Sequence, residues 1–290
     1  MRNEKYIIYN GDPVLKNKPV ITVDNRAFRY GDSLFETVRY HKGIPLFFFD
    51  HYYRLTYGMD VLKMNIASLP DEDTLIKQIT FLVNKNSVFK DARIRISVFR
   101  NGAGLYTPGD NDVSYIIEAV PVEGDLYSFN KKGLIIGLFD KYYKSSQPLF
   151  SFKNSNSLVY ILGSIYKKEN MLDDCLIMND KGLIIEALSS NLFWIKNETV
   201  FTPSFASGCV KGVMRRHVID TIRGMRLSYK ESPGTTIDEI KSADEVFLTN
   251  VIHGISRVAG IDEKRYYSIT TKKIFNALLN NVKQMLEDEE

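Results

Sequence analysis

The chain has 290 residues, of which 44% are hydrophobic, 12% aromatic and 25% charged, which is ordinary for a globular protein and excludes disordered, collagen-like and coiled-coil chains. Its 38 Lys and Arg residues nearly balance its 35 Asp and Glu residues, so the net charge of +3 gives no indication of nucleic-acid binding. The length predicts two modest domains or one large one, and no apolar run approaches the roughly 20 residues that cross a bilayer.

The first part of the chain is predicted to form strands around two helices. The first helix has Asp50 as its expected N-cap, and the second starts at Pro70, which is followed by three acidic residues. In both, apolar residues recur at three- and four-residue spacing, as on one face of a helix. Alternating or short apolar runs predict strands at residues 6–9, 33–40, 44–49 and 93–99.

The pattern loosens at residues 120–126, which we interpret as a linker between a small domain, 1–119, and a larger one, 127–290. The larger domain is predicted to open with a strand at 133–139 and a polar loop at 142–150. A helix is expected from Ser155, a second from near Gly212 and a third at the C-terminus. The apolar face of the first helix would carry Leu158, Ile161, Leu162 and Ile165. Short strands are predicted at 175–178, 183–185, 192–195, 200–202 and 244–249.

Four features could carry chemistry, and each also has a structural interpretation. The glycine-rich turn 207–212 leads into a helix whose first N–H groups suit a phosphate, although an ordinary tight loop fits equally well. Lys153 stands among apolar and small polar residues, either as a Schiff-base lysine or as a surface lysine at a helix start. Glu186 ends an apolar strand, so its carboxylate needs a catalytic or structural donor. Arg54 lies on a predicted helix, where a surface ion pair is the usual role.

The histidines and cysteines predict no metal site. None of the four histidines has the i,i+4 partner or neighbouring cysteine of a zinc site. His51 and His253 are candidates for catalysis, but a structural hydrogen bond is the favoured interpretation of each. Cys175 and Cys209 form no CxxC pair, and Met1–Lys5 lacks the apolar stretch of a signal peptide. We therefore expect reduced thiols in a cytoplasmic protein.

Taken in chain order, these features resemble a known family. Arg26–Arg39 resembles the N-terminal signature of the fold-type IV pyridoxal-phosphate enzymes, the class IV aminotransferases. These comprise branched-chain and D-amino acid aminotransferases and aminodeoxychorismate lyases. The resemblance covers residues 9–261 and includes five further motifs in the family's order. They are His51-x-x-Arg54-Leu55, Lys153, Glu186-x-x-x-x-Asn191-Leu192-Phe193, Gly212-Val213-Met214-Arg215 and Thr249-Asn250.

The resemblance implies pyridoxal 5'-phosphate as the cofactor. Lys153 would form the Schiff base with its aldehyde and then move the substrate's α-proton. Glu186 would keep the pyridine nitrogen protonated, which makes the ring a better electron sink. The remaining cofactor-binding residues would hold the phosphate or the turns around it. These are Arg54, Ser189, Gly212, Val213, Met214 and Asn250.

Within the family, three places resemble 4-amino-4-deoxychorismate lyase, which releases pyruvate and leaves 4-aminobenzoate for folate synthesis. Leu158 stands where branched-chain aminotransferases carry tyrosine, and Thr37 stands where they carry glycine. Residues 100–106 resemble the lyase's loop of arginine, glycines and tyrosine. Thr37 would help Lys153 to relay a proton. The residues expected to contact substrate are Tyr30, Phe35, Arg39, Arg100 and Tyr106.

Two other functions stay open. Residues 250–257 depart from the apolar, proline-containing segment of many lyases, so a transaminase for branched-chain or D-amino acids is the first alternative. A non-catalytic binder of pyridoxal phosphate or of another phosphorylated ligand is the second. The resemblance also implies a small N-terminal α/β domain and a larger β-pseudobarrel domain, with the cofactor between them. It further implies a homodimer in which both subunits contribute residues to each site.

Overall fold

The computed structural model describes residues 5–88, 90–124 and 126–289. Most of the segment inspected for a signal peptide, residues 1–4, and Asp125 of the predicted linker lie outside these residues. The described chain divides into two compact units. The first contains the residues up to Leu126 together with Phe152–Asn156, and the second contains residues 127–151 and 157–289. Lys153 therefore belongs to the first unit, although strand β7 (Leu134–Lys144) of the second precedes it in the chain.

The first unit is a six-stranded antiparallel sheet with helices. Its strands follow the order β2-β1-β6-β5-β3-β4. They are β1 (Tyr6–Tyr9), β2 (Asp12–Leu15), β3 (Ser33–His41), β4 (Ile44–Pro45), β5 (Asp91–Arg100) and β6 (Val113–Pro121). Its helices are α1 (Arg26–Tyr30), α2 (Phe48–Val61) and α3 (Glu72–Lys85).

The core of the first unit lies between one face of the sheet and the two longer helices. Alternate residues of β3, Leu34 and Val38 among them, are buried in it, as expected for a strand with one face against a core. In α3 the buried residues recur with helical spacing from Leu75 to Val83, as the sequence predicted. This helix starts with Asp71 as N-cap, whose carboxylate accepts a hydrogen bond from Thr74 N at 2.8 Å.

The second unit contains nine strands and four helices in the described residues. After β7, its strands are β8 (Asp174–Asn179), β9 (Ile184–Ala187), β10 (Asn191–Lys196), β11 (Thr199–Pro203), β12 (Ser228–Ser232), β13 (Glu245–Asn250), β14 (Gly254–Ile261) and β15 (Lys264–Arg265). Its helices are α4 (Leu158–Glu169), α5 (Val213–Gly224), α6 (Ile237–Lys241) and α7 (Ile269–Glu289).

Six of these strands close into a barrel, which confirms the predicted α+β fold with a pseudobarrel. Their order is β10-β13-β14-β7-β8-β9, and β9 pairs again with β10. The closing pair is Asn191 with Glu186, so two residues of one predicted motif complete the barrel. Closure removes the open edges that a flat sheet would present to other chains. Strands β11 and β12 extend from β10, and β15 pairs with β14.

Two boundaries expected near α2 are wrong. The strand predicted at 44–49 ends at Pro45, and α2 begins at Phe48. Asp50 therefore lies in the first helical turn, and the N-cap is Phe47, which has φ of 57° and makes no side-chain cap bond. The apolar run around Phe47 gives no local sign of a helix start. Leu46 and Phe48, on either side of this residue, are both buried.

The other two corrections concern the start of the second unit. Strand β7 continues to Lys144, into the loop predicted from residue 142. Helix α4 starts at Leu158, and its expected apolar face is exposed, with Leu158 at 73% and Ile161 at 52%. The opposite face, which contains Gly163 and Tyr160, packs against the barrel. Both faces of α4 are apolar, so periodicity alone could not decide which one is buried.

Candidate active site

Two irregularities in the second unit determine where Glu186 and Lys144 lie. Strand β9 pairs with β8 at Glu186↔Ile177 and next at Ile184↔Met178, which leaves Ile185 as an extra residue. Strand β7 leaves β8 after Phe139 and pairs with it again at Lys144↔Asn179. Bulges of this kind redirect side chains and are frequent beside functional sites.

Glu186 is buried, and three donors reach its carboxylate. Oε1 accepts hydrogen bonds from Lys144 Nζ and from Tyr160 Oη, both at 2.7 Å. Oε2 accepts one from Val210 N at 2.8 Å. Burial, with the Glu186 charge as the second cause, raises the pKa of Tyr160 well above its ordinary value of 10, so this phenol remains a donor. The structure thus meets the expectation that a buried carboxylate needs donors.

Asn191 fixes the other side of Val210. Its Nδ2 donates to Val210 O at 2.8 Å, so Glu186 and Asn191 hold both the N–H and the carbonyl of one residue. We call this arrangement the Val210 clamp. A Cβ on Gly212 would lie 1.9 Å from Asn191 Oδ1, and therefore only glycine allows this approach. The clamp joins the barrel closure to the start of α5.

The start of α5 is a candidate anion site of the second unit. Gly212 is the N-cap and provides no side-chain hydrogen bond, so the first-turn N–H groups of Val213 and Met214 are not capped by it. Such N–H groups, together with the helix dipole, suit a phosphate. Both side chains are apolar and buried, so these two residues contribute only backbone polar groups to the turn.

Asn250 and the serine turn before Asn191 are also brought together. Asn250 Nδ2 donates to Ser190 Oγ at 3.0 Å, and its Oδ1 accepts from Ile252 N and His253 N at 3.0 and 2.9 Å. The side-chain amide of Asn250 thus orders the turn that directly follows β13. Ser189, the predicted cofactor contact next to Ser190, has an exposed side chain.

In the first unit, Lys153 lies against β3. Its carbonyl accepts a hydrogen bond from Phe35 N at 2.8 Å, and its Nζ lies 4.8 Å from the centroid of the Phe35 ring. The Arg95 guanidinium lies 3.8 Å from the same centroid. Thr37 follows Phe35 by two residues, so both side chains project from the same face of β3. The predicted relay threonine therefore lies on the face of β3 whose Phe35 ring is near the predicted Schiff-base lysine.

Arg54 forms a buried charge cluster with Glu36 and His51. Arg54 Nε and Nη2 donate to the two Glu36 oxygens at 2.7 and 2.5 Å, and His51 Nδ1 lies 2.7 Å from Glu36 Oε2. Burial alone would raise the pKa of Glu36, but Arg54 and His51 outweigh it and lower the pKa from 4.5 to about 2. Burial lowers the pKa of His51 in spite of Glu36. The histidine is therefore neutral at pH 7, and Nδ1–H donates to the carboxylate.

Two arginines expected at the substrate are engaged elsewhere. Arg39 is buried and forms an ion pair with Asp91. Arg100 is buried as well and donates to Asp32 Oδ2 at 2.9 Å, to Lys63 O at 3.1 Å and to Leu62 O at 2.5 Å. This geometry favours a structural role for both arginines over binding of a substrate carboxylate.

The loop after β5 is tied to α1. Arg26 donates to Leu105 O at 2.7 Å and to Asp32 Oδ2 at 2.8 Å. The rings of Tyr30 and Tyr106 lie 5.7 Å apart, and Tyr106 is 87% exposed. Of the five residues expected to contact substrate, Tyr30 and Tyr106 are thus paired, with Tyr106 presented to solvent.

Among the described residues, no group of His, Cys, Asp or Glu side chains could hold a metal ion. Cys175 and Cys209 are both free, as expected for reduced thiols, and both are buried. Burial raises the pKa of each thiol to about 11, so both are protonated at neutral pH. No described helix has both the length and the apolar character needed to cross a membrane.

The family of the chain follows from comparison with known proteins. A sequence model of the family described as amino-transferase class IV matches residues 33–261. The chain belongs to the class IV aminotransferases. This confirms the predicted family and, with it, a pyridoxal-phosphate-dependent enzyme. The match extends from β3 through β14, and so includes the barrel closure and the start of α5.

Relatives within this class IV family carry two different names. An aminodeoxychorismate lyase of Vibrio harveyi is 26% identical over 243 residues, which cover 83% of this chain and 87% of the relative. A branched-chain-amino-acid aminotransferase of Escherichia coli K12 is 25% identical over 266 residues, 89% and 85% of the two chains. In fold, the chain is similar to a branched-chain aminotransferase of Thermoproteus uzoniensis, with a TM-score of 0.85 at 20% identity over 96% of this chain and 94% of that one.

The second unit of this class IV enzyme fits the cofactor of its family. The space beside Gly212 would be filled by the Cβ of any other residue. The backbone N–H groups that follow Gly212 are donors of the kind that a phosphate needs. A buried carboxylate, Glu186, lies next to the same segment through the Val210 clamp. Anion donors and a carboxylate are thus held by one hydrogen-bonded segment, as a phosphate and a protonated ring nitrogen require.

The sequence did not single out several residues that complete these sites. Lys144 lay in a predicted loop. Its burial could not be predicted, because it depends on the renewed pairing of β7 with β8. Tyr160 lay on the face of α4 opposite the apolar face that the sequence analysis named. Arg26 and Glu36 belong to the quoted signature, but their roles depend on partners far along the chain, such as Leu105 for Arg26 and Arg54 for Glu36.

Proposed function

We propose that this enzyme is a 4-amino-4-deoxychorismate lyase, which converts its substrate into pyruvate and 4-aminobenzoate. The observation that carries the proposal is the position of Lys153 Nζ, 4.8 Å from the Phe35 ring on the face of β3 that also carries Thr37. A hydroxyl on this face of β3 is suited to proton relay, which elimination requires in addition to α-proton removal. Similarity to the lyase of Vibrio harveyi supports the same reaction.

Cofactor roles are proposed here for the residues of each unit separately. In the second unit, the N–H groups of Val213 and Met214 bind the phosphate, and Glu186 pairs with the pyridine nitrogen. Gly212 provides the space, and Ser189 and Asn250 belong to the turns beside it. In the first unit, the class IV resemblance implies that Lys153 would bind the aldehyde carbon and that Arg54, oriented by Glu36, would donate to the phosphate.

Pyridoxal phosphate supplies an electron sink for the carbon from which a proton is removed. Lys153 accepts that proton at Nζ, and Thr37 passes a proton onward. Tyr30 and Phe35 are proposed to border the substrate, and Tyr106 to reach it from its exposed loop. Arg39 and Arg100 support the strands and the loop that carry these residues, since Asp91 and Asp32 already bind their guanidinium groups.

The second candidate is a transaminase for a branched-chain or D-amino acid. It is favoured by the similarity to the Escherichia coli branched-chain aminotransferase and by residues 250–257, which depart from the segment of many lyases. The two reactions use the same cofactor residues, so the proposed cofactor site supports both equally.

One experiment separates these reactions. Purified protein with pyridoxal phosphate is incubated with aminodeoxychorismate, and separately with leucine or a D-amino acid plus 2-oxoglutarate. We expect equal amounts of 4-aminobenzoate and pyruvate in the first reaction, and only a trace of glutamate in the second. Rapid glutamate formation without 4-aminobenzoate would refute the lyase. The variant Lys153→Ala should lose the visible absorbance of the bound cofactor and all turnover, whereas the exposed control Lys168→Ala should retain both.

We also propose that the enzyme is a cytoplasmic homodimer. The class IV resemblance implies two subunits, and large apolar side chains are exposed on α4 and on α2, including Ile161, Ile165, Phe49 and Tyr53. Two free, buried cysteines agree with a reducing compartment. The tip of the loop with Tyr106 is exposed in the protomer, which agrees with a contribution from one subunit to the other.

A further inference from the structure

The Lys144–Tyr160–Glu186 cluster of the second unit is not explained by cofactor binding alone. The side chains of Lys144 and Glu186 are only 6% and 4% exposed, and their ion pair measures 2.7 Å. Buried ion pairs are often replaceable by apolar residues with no loss of stability, because desolvation offsets the Coulomb attraction. Stability is therefore a weak reason for a lysine here, and the arrangement of the hydrogen bonds gives a better one.

The two oxygens of Glu186 are occupied unequally. A carboxylate can accept about four hydrogen bonds, roughly two at each oxygen. Lys144 and Tyr160 both donate to Oε1, which uses its two positions. Val210 N donates to Oε2, and the described residues leave one further position on that oxygen. The cluster therefore directs any additional donor to Oε2, on the side of the Val210 clamp.

We propose that Lys144 and Tyr160 are positioning residues that reserve Oε2 of Glu186 for the ring nitrogen of the cofactor. The inference rests on the proposed function, in which Glu186 pairs with that nitrogen. The Lys144 ammonium has only donors, so the carboxylate oxygen that it contacts must act as an acceptor. Lys144 thereby holds Glu186 as an acceptor, so that the shared proton stays on the ring nitrogen and preserves the electron sink. Tyr160 fixes the rotation of the same carboxylate.

Removal of Lys144 tests this role by cofactor affinity and by spectroscopy. In Lys144→Met, the dissociation constant of pyridoxal phosphate should rise about 10- to 100-fold, by analogy with the loss of metal affinity when a residue that orients a metal ligand is removed. With less positive charge on the ring, the Schiff base of Lys153 should hold its proton more strongly. The pH midpoint of its visible absorbance band should therefore rise by about one unit. In Lys144→Arg, the dissociation constant and the pH midpoint should both lie close to the wild-type values.

Tyr160 provides an independent test that preserves the ion pair. Tyr160→Phe removes one neutral hydrogen bond, so the dissociation constant should rise about two- to tenfold and the pH midpoint should move in the same direction. Lys141→Met and Tyr143→Phe change exposed residues on the same strand as Lys144 and should match the wild type. If Lys144→Met does not fold, Tyr160→Phe and Lys144→Arg still decide. A wild-type pH midpoint in Tyr160→Phe would then refute the proposal.

A double variant shows whether Lys144 acts through Glu186. In the Glu186→Gln background, Lys144→Met should cause little further loss of cofactor affinity. An equal loss in both backgrounds would refute the positioning role. The outcomes also separate the two proposals. Failure of the wild type to bind pyridoxal phosphate would refute both. If the wild type binds pyridoxal phosphate and Lys144→Met has the same dissociation constant and pH midpoint as the wild type, only this inference is refuted.

Discussion

At the scale of single residues, Gly212 is the position where the smallest change should have the largest effect. A methyl group there would lie 1.9 Å from Asn191 Oδ1, and Asn191 cannot move without losing its 2.8 Å bond to Val210 O. We expect Gly212→Ala to lower the free energy of unfolding by about 1–3 kcal/mol and to weaken pyridoxal-phosphate binding at least about tenfold. Urea unfolding and a cofactor titration measure the two effects.

The matched control for Gly212 lies at the other end of the same helix. Gly224 is the last residue of α5, and a Cβ built there has no neighbouring heavy atom within 4 Å. Gly224→Ala should be neutral or stabilise the protein by up to about 1 kcal/mol, because alanine loses less backbone freedom on folding. Equal effects of the two substitutions would show that the approach of Asn191 to Gly212 is unimportant.

Glu36 gives a pH-dependent prediction at the same scale. Its pKa is lowered from 4.5 to about 2, so its ionised form stabilises the fold above pH 4.5, and this stabilisation is lost as the pH falls through about 2. Linkage converts the difference into about 3 kcal/mol. Glu36→Gln should therefore be less stable than the wild type at pH 7, and the difference in urea unfolding free energy should narrow below pH 4.5. Asp60→Asn, an exposed control, should show no such narrowing.

At the scale of elements, helix α4 shows how a correct element can be assigned the wrong face. Its sequence has apolar residues on both sides, and the face that packs on the barrel contains Gly163, where an added Cβ would lie 2.7 Å from Leu188 Cδ2 and 3.3 Å from Phe139 Cδ1. Gly163→Leu should overfill this contact and destabilise the enzyme by about 1–3 kcal/mol in urea unfolding. Ser164→Leu, on the neighbouring exposed position, should change stability by less than about 0.5 kcal/mol. If Ser164→Leu destabilised the enzyme more than Gly163→Leu, the helix would pack on the barrel with its other face.

The path of β7 has a comparable effect on the candidate site. Local pattern predicted that the strand ends near residue 139, and residues 140–143 are indeed exposed. The strand nevertheless pairs with β8 again at Lys144, which becomes buried beside Glu186. A lysine after four exposed residues gives no local signal of burial. The bulged pairing, and not the propensity of residues 140–144, thus brings a cation to the carboxylate.

At the scale of the whole molecule, exposed apolar surface is the feature to test. Leu158, Ile161 and Ile165 form an exposed stripe on α4, with residues three and four positions apart. The proposed homodimer predicts twice the 33.3 kDa mass of the chain in light scattering at micromolar concentration. Ile161→Lys together with Ile165→Lys tests whether this stripe belongs to the interface, and should shift the mass toward that of the monomer. A monomeric wild type with full activity would contradict the homodimer.

The sequence by itself determined the family, the cofactor and most of the strands and helices. These depend on short-range information: alternation in β3, the helical spacing in α3, and motifs such as Glu186-x-x-x-x-Asn191. Its local patterns could also predict that a buried carboxylate would need donors, but not which ones.

Only the tertiary structure decided the partners of the charged groups. Arg39 and Arg100 are bound by Asp91 and Asp32, Glu36 holds Arg54, and Lys144 reaches Glu186 across 42 positions of the chain. The physical reason is that burial makes an unpaired charge costly, so each charge takes the partner that the completed fold provides. Those partners depend on strand register and bulges, which are set by contacts between distant segments.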